Sequence, residues 1–404
     1  MTRTAPLKRL ASLRVSNVDK KSVEEQLAVR LCNYTDVYYR DQIHPDQEFM
    51  AATATPEQVQ QFRLRKGDVV ITKDSETADD IAVPSYVGGA APDLICGYHL
   101  AVLRPRPEVL HPKYLYWSIV GDQARDQFTV LATGVTRYGL RQDEMGRVEI
   151  NLHPLPVQRA IADYLDAETA RIDALIERRQ RMATLVQERL RSKISALTSG
   201  EPTVRVRHVT SLRTSGPRGW SERVGSSGQP FVRSGNLRRT SIDLDLSDLA
   251  FVEAPTTAEA QRSMIRRGDV LVGITGANTG WVGLPSEVEG GFVSQHVAVL
   301  RPSGLEPAWL AYSLFAHQAQ DQLLGGQYGG TKQQLGLTDL AELSIFVPPL
   351  ELQRKAVHQI ATEAARAAAL LSAITAQVGL LAERRQAMIT AAVAGELEVS
   401  GMAA

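Results

Sequence analysis

The stretch PLPVQRAIADYLDAETARIDALIERRQRMATLVQERLRSKISALTSG, residues 154–200, returns 195 positions later as PLELQRKAVHQIATEAARAAALLSAITAQVGLLAERRQAMITAAVAG, residues 349–395. Pro154 matches Pro349, Gln158-Arg159 matches Gln353-Arg354, Glu188-Arg189 matches Glu383-Arg384, and Gly200 matches Gly395. A repeat this long exceeds any solenoid unit, so it implies a duplicated domain and a pseudo-twofold molecule. The pattern inside the repeat is a heptad. Positions 357, 360, 364, 367, 371, 374, 378, 381, 385, 388 and 392 are mostly apolar, and their counterparts run from Ala162 and Leu165 to Leu197. Five heptads of 3-4 spacing predict a coiled coil with Ile172, Ile176, Val186, Leu190, Leu371, Ile374, Val378 and Leu381 in its seam. Side-chain size predicts antiparallel pairing, because the small Ala364 and Ala367 then face the bulky Leu190 and Leu197. About 35 residues at 1.5 Å rise give a rod of roughly 50 Å, about one and a half turns of duplex DNA at ~34 Å per turn.

The duplication extends upstream. Leu7–Arg14 parallels Val206–Arg213, Arg65-Lys66-Gly67-Asp68-Val69-Val70 parallels Arg266-Arg267-Gly268-Asp269-Val270-Leu271, and His99–Pro105 parallels His296–Pro302. The turn Gly134-x-Thr136-Arg137 has its counterpart in Gly329-x-Thr331-Lys332. The offset drifts between these pairs, so the framework is shared and the loops have diverged. The Gly-Asp segments read as turns entering buried strands, with Val69-Val70-Ile71 and Val270-Leu271-Val272 as the strands. His99 and His296 open a second strand and read as structural, since neither stands in a Ser, Cys or carboxylate constellation. Pro112 and Pro307 open short amphipathic helices. The resulting expectation is an α+β fold: two mixed α/β domains joined by two long antiparallel coiled-coil helices. The boundaries fall at 1–153, 154–200, 201–348, 349–395 and a tail at 396–404.

Composition is that of an ordinary globular chain, 44% hydrophobic and 22% charged over 404 residues. No apolar run is expected to reach the roughly 18–20 residues of a membrane span, and the start MTRTAPLKRLASLR lacks the apolar core of a signal peptide. Cys32 and Cys96 form no metal-binding pattern, so a reducing cytoplasm is the expected setting. Formal net charge is zero, but it is unevenly spread: between Arg205 and Arg239 stand eight arginines and His208 against Glu222 alone. Guanidinium groups supply the paired donors that phosphates and base edges accept. Arg233, Asn236, Arg238 and Arg239 are therefore the expected base readers of the second half, Arg toward guanine and Asn toward adenine. Arg137 and Lys332, the cations that both repeats keep in the Gly-x-Thr turn, are the expected backbone contacts, flanked by Thr136, Tyr138, Thr331 and Gln333. The glycine-punctuated loop Gly273–Gly280 lacks the Lys-Ser/Thr ending of a P-loop, and no GxGxxG follows a strand. No Asn/Asp-Pro-Pro-Tyr/Phe methyltransferase loop is present either, so the chain reads as non-catalytic.

The Gly-Asp-Val strand entry, the Gly-x-Thr-Arg/Lys turn, the Pro-Leu-x-x-Gln-Arg helix entry and the Glu-Arg-Arg…Gly-Glu-Leu helix exit together resemble the specificity subunits of type I restriction-modification systems. The resemblance covers almost the whole chain. It departs from that family at Val157 and Leu352, where the residue before Gln is usually Glu, and in Pro154-Leu155-Pro156 against Pro348-Pro349-Leu350-Glu351. It implies that each repeat is a target recognition domain reading one half of a bipartite double-stranded DNA site. It further implies that the helices dock two modification (methyltransferase) subunits, to which restriction (helicase-nuclease) subunits attach. S-adenosylmethionine, ATP and Mg would then belong to those partners, with no cofactor or metal in this chain. A stand-alone two-domain DNA-binding regulator and a coiled-coil protein-interaction scaffold are the alternative readings. The basic stretch speaks for DNA over the scaffold, and the lack of a helix-turn-helix speaks against the regulator.

Overall fold

The computed structural model describes residues 3–325 and 334–399. They divide into two units, Met1–Arg178 with Gln377–Ala404, and Arg179–Ala376. The division falls inside both long helices, Leu155–Leu197 and Leu350–Ala394, so each unit includes one end of either helix.

The two units are built to one plan. In the first, Arg3–Pro6 pairs antiparallel with Glu149–Leu152, closing the globular part at its two ends. A five-stranded sheet follows the order Ala11–Val15, Leu100–Pro105, Val69–Thr72, Pro84–Val87, Gln42–Ile43. A three-stranded sheet has Leu27–Cys32 at its centre, antiparallel to Met50–Ala54 and parallel to Leu94–Cys96. In the second unit Thr203–Arg205 pairs with Ser344–Phe346. One four-stranded sheet there runs Thr210–Ser215, Val297–Pro302, Val270–Gly273, Val282–Gly283. A second four-stranded sheet again has an inner strand, Gln229–Val232, antiparallel to Ala250–Val252 and parallel to Phe292–Val293, with Val224–Gly225 added at the far edge of Ala250–Val252. Register agrees as well: Ala101 faces Ile71 in one unit, and Ala298 faces Val272 in the other. Both apolar strands read from the sequence are fully buried, as β-branched residues in a covered sheet should be.

The repeated motifs are the joints of this plan. Asp68, buried at the strand entry, takes a two-pronged salt bridge from Arg104 at 2.7 Å and caps the Arg65 amide at 2.8 Å. Asp269 does the same with Arg301 at 2.8 Å and the Arg266 amide at 2.8 Å. The Gly-Asp and Leu-Arg-Pro motifs are thus two halves of one interaction. Gly67 and Gly268, at φ of +91° and +84°, supply the left-handed turn that aims each aspartate inward. Gln158 and Gln353, both buried, anchor the start of each long helix. Gln158 accepts from the His111 amide at 2.7 Å and donates to the Val109 and His153 carbonyls. Gln353 accepts from the Glu306 amide at 2.9 Å and donates to the Pro348 carbonyl.

The proline-opened helices are Pro112–Val120 and Pro307–Phe315. They are not amphipathic: Tyr114–Ile119 and Trp309–Phe315 are buried throughout, because each packs in a core that also takes in the long-helix ends. In the first unit Ile161, Ala162 and Leu165 share that core with Ile389, Ala392 and Val393. In the second, Ile194, Leu190 and Leu197 share it with Ile360, Ala356 and Val357. Asp173 meets Arg385 at 2.9 Å in the first unit, and Lys193 meets Glu363 at 2.8 Å in the second. In both units residues late in one helix meet residues early in the other, so the pairing is antiparallel. The seam follows the heptad register. Ile172 and Ile374 are buried, and Ile176, Val186, Leu190, Leu371, Val378 and Leu381 are half-buried. Arg179 interrupts it and is exposed.

The second long helix corrects one expectation. By length, and by a mean hydropathy of 1.5 over its most apolar window, it could cross a membrane, although only 6% of that window is buried. Composition counted over the whole chain hid this local run. Cys32 and Cys96 are free, buried and register partners on adjacent strands, and burial pushes both thiols above their usual pKa.

Candidate nucleic-acid interface

In the first unit, the Gly-x-Thr-Arg turn is the tip of a closed loop. Thr133 and Gly139 bond each other through both backbone pairs, at 3.1 and 2.9 Å. Tyr138-Gly139 then pairs with Asp74-Ser75. A Cβ on Gly134 would lie 2.0 Å from the Arg137 carbonyl, so the loop can close only with glycine there. Thr136 and Arg137 are exposed, Tyr138 is half-buried, and Arg137 makes no ion pair among the described residues. A solvated cation on a loop closed by backbone hydrogen bonds costs little desolvation, and it can meet a phosphate without first losing an ion-pair partner.

Arg137 and Thr136 line a cleft of about 780 Å³ with Tyr34, Tyr38, Tyr39 and Asp80. Tyr34 and Tyr38 stack with ring centres 5.4 Å apart, and Tyr39 meets Tyr38 edge-on at 4.9 Å. The Tyr38 hydroxyl donates to Asp80 at 2.7 Å, which together with desolvation pushes its pKa up to about 12 and keeps it a neutral donor. The motif reading overlooked these tyrosines. Their i, i+4 spacing on the short helix Tyr34–Tyr38 was the available signal, and it has no counterpart in the second repeat.

His99 was expected to lack a carboxylate. Its Nδ1 lies 2.6 Å from Asp74, which also accepts from Lys73 at 2.6 Å. The partner sits 25 residues away, beyond the reach of local spacing. His296 meets Thr275, at the equivalent register position, so both repeats brace this histidine against the same strand end.

In the second unit, Thr331, Lys332 and Gln333 lie outside the described residues. The adjoining Gln334 bridges to Thr275, as Gly139 does to Asp74 in the first unit. The cleft beside it, about 870 Å³, is lined by Arg218, Arg262, Gln295, His296 and Gln334 in place of the tyrosines. Much of the basic stretch is held internally. Arg205 and Arg207 both grip Glu342, and Arg213 is bonded to Thr210. Arg233 pairs with Asp248 at 2.8 Å. Asn236 is a correction: it is buried, accepts from the Arg233 amide and donates to the Asp245 and Asp248 carbonyls, so it braces the loop and presents no edge to a base. Arg238 stands 3.6 Å from Asp245, and Arg239 is exposed with no ion pair among the described residues.

Comparison with known proteins agrees with this duplicated frame. The family model described as "Type I restriction modification DNA specificity domain" matches residues 29–182 and again 228–378. The chain belongs to this family. No curated protein sequence matches it. Among solved structures, a chain from "Structural basis underlying complex assembly and conformational transition of the type I R-M system" is similar over 98% of both chains. It has 19% identity and a TM-score of 0.72. The crystal structure of the HsdS subunit from Thermoanaerobacter tengcongensis is similar over 98% of this chain and 97% of that one, with 19% identity and a TM-score of 0.51. As a type I DNA specificity protein, the chain has a framework that serves recognition of DNA sequence, and the two differing clefts are where its two copies diverge.

Proposed function

We propose that each unit reads one half of a bipartite double-stranded DNA target, within a complex whose chemistry is done by other subunits. The observation that carries this is one framework bearing two dissimilar clefts, tyrosine-lined with Arg137 in one unit and Arg- and Gln-lined in the other. Shared joints fix how DNA is met, and divergent linings give each half its own base preference. The recognition modules are residues 1–153 and 201–348, carried by the helices at 154–200 and 349–395, with a tail at 396–404.

The helices dock two methyltransferase subunits, and restriction subunits attach through those, in the cytoplasm. In support, the long helices leave Leu175 and Leu380 exposed in the first unit and Leu185, Leu352 and Leu370 in the second, apolar side chains that a partner would cover. S-adenosylmethionine, ATP and Mg are used by the partners. The pure chain should therefore transfer no methyl group, and methyl transfer by it alone would overturn its non-catalytic role.

Arg137 supplies the direct test of DNA contact. Arg137→Ala should weaken binding of the assembled complex to all duplexes alike and make the salt dependence shallower by about one. Titration at several salt concentrations measures this, and an unchanged slope would reject the backbone role. Lys332 is assigned the same task on the other half-site.

A further inference from the structure

In the second unit, a recess of about 340 Å³ is lined by Arg191, from the first long helix, together with Arg238, Arg239, His317 and Asp321. Arg191 is held firmly. Its guanidinium lies 5.0 Å from the centre of the Phe315 ring and donates to the Phe315 carbonyl at 3.4 Å. Its Nε is enclosed and has no hydrogen-bond partner. Burial, and then the neighbouring Arg239, lower its pKa from the usual arginine value, so the folded chain bears a cost for keeping two cations together. Three guanidinium groups around one cavity, one of them with an unused enclosed donor, form a receptor for an oxyanion.

The other repeat has the same recess with the opposite charge. Gln386 stands where the repeat places Arg191, and donates to the Val120 carbonyl at 3.0 Å and to Asp122 at 2.7 Å. Ile81–Val83 line it as Thr279–Trp281 line the other, but the charged residues are Asp41, Asp79 and Asp80 with Arg125 and Arg385. Asp80 also lines the cleft that holds Arg137, so in the first unit the recess adjoins the proposed DNA-contact cleft. The shared framework gives the basic recess the corresponding place in its own unit.

We infer that Arg191, Arg238 and Arg239 clamp one backbone phosphate of the DNA beside the second half-site, a contact the first half-site lacks. This rests on the reading of the chain as a DNA-recognition protein, and it moves Arg238 and Arg239 from reading bases to positioning the duplex. A phosphodiester suits the recess because its two anionic oxygens can each take a guanidinium, and the bound charge offsets the repulsion between Arg191 and Arg239. The acidic recess would repel the same group, so the two half-sites should differ in their dependence on salt.

The test uses the complex assembled with its methyltransferase subunits. Arg191→Gln copies the other repeat's own residue, and Arg239→Gln alters an exposed loop position, so folding is safeguarded twice. Each variant should make the salt dependence of binding shallower by about one, equally on specific and non-specific duplexes, with the methylated sequence unchanged. An unchanged slope in both variants, while the wild type binds its target normally, would overturn the phosphate clamp alone. A changed second half-site would make these arginines base readers and overturn it as well. Failure of both variants to assemble would overturn the clamp and assign the recess to an acidic surface of a partner protein. A wild-type complex with no DNA binding would overturn the clamp together with the reading beneath it.

Discussion

Asp269→Ala should destabilise the second unit by about 3–5 kcal/mol, the cost of removing one partner from a buried ion pair. The carboxylate is wholly buried, and the guanidinium it holds, that of Arg301, is only 20% exposed and would be left without its partner. The lower end of the range is expected, because Arg301 can also reach the Met264 carbonyl at 3.3 Å. The same change releases the Arg266 amide and so loosens the glycine turn into the strand Val270–Gly273. Asp68→Ala should do the same to the first unit through Arg104. Asp248→Ala is the control. It breaks the pair with Arg233, but Asp248 is 94% exposed, so the loss should stay within about 1 kcal/mol. Denaturant unfolding followed by a probe in each unit separates these outcomes, and an Asp269→Ala chain as stable as the Asp248→Ala chain would refute the joint.

Inserting four residues near Ala183 should lengthen the unspecified spacer between half-sites by one or two base pairs, at ~3.4 Å each. Ala183 lies within the first long helix, five residues beyond the boundary of the first unit at Arg178. Four residues add about 6 Å of helix and about 40° beyond a full turn. Both recognition modules hang on this helix, and no cleft residue is altered, so the half-site sequences should persist. The half-buried seam residues Ala183 and Val186 must find new partners, which sets the condition that the facing helix accommodates the shift. If the helices serve only to dock methyltransferases, assembly is lost and no new spacer appears. An assembled, active complex with its original spacer would defeat the idea that helix length sets the spacing.

Much of the frame was legible in the sequence because it depends on local periodicity and on duplication. The heptad register picked out the buried seam residues Ile172 and Ile374, and the Gly-Asp turns led into the buried strands as expected. What the motifs were for was not legible, since Asp68 meets Arg104 and Gln158 meets Val109 across dozens of residues of intervening chain. The same limit hid the internal partners of the arginine cluster. Counted within its own window it faced one glutamate, yet Glu342, Asp245 and Asp248 come from outside that window to neutralise it. Asn236 was misread for a related reason: its type suits adenine, but its burial commits both ends of the amide to the loop. Arg191 gave no sign, because a seam-adjacent helix position reveals nothing of the loop that folds over it.

The central claim, that each unit reads its own half of a bipartite site, is tested most directly by base-resolution mapping of methylated sites in cells. One strain carries the complex with the wild-type chain, and the other carries a chain with the second cleft altered at Arg218, Arg262 and Gln295. The wild type should mark two short sequences separated by an unspecified spacer, and the variant should change one of them while the other and the spacer stay as they were. A contiguous wild-type motif, or a variant that alters both halves together, would contradict the account.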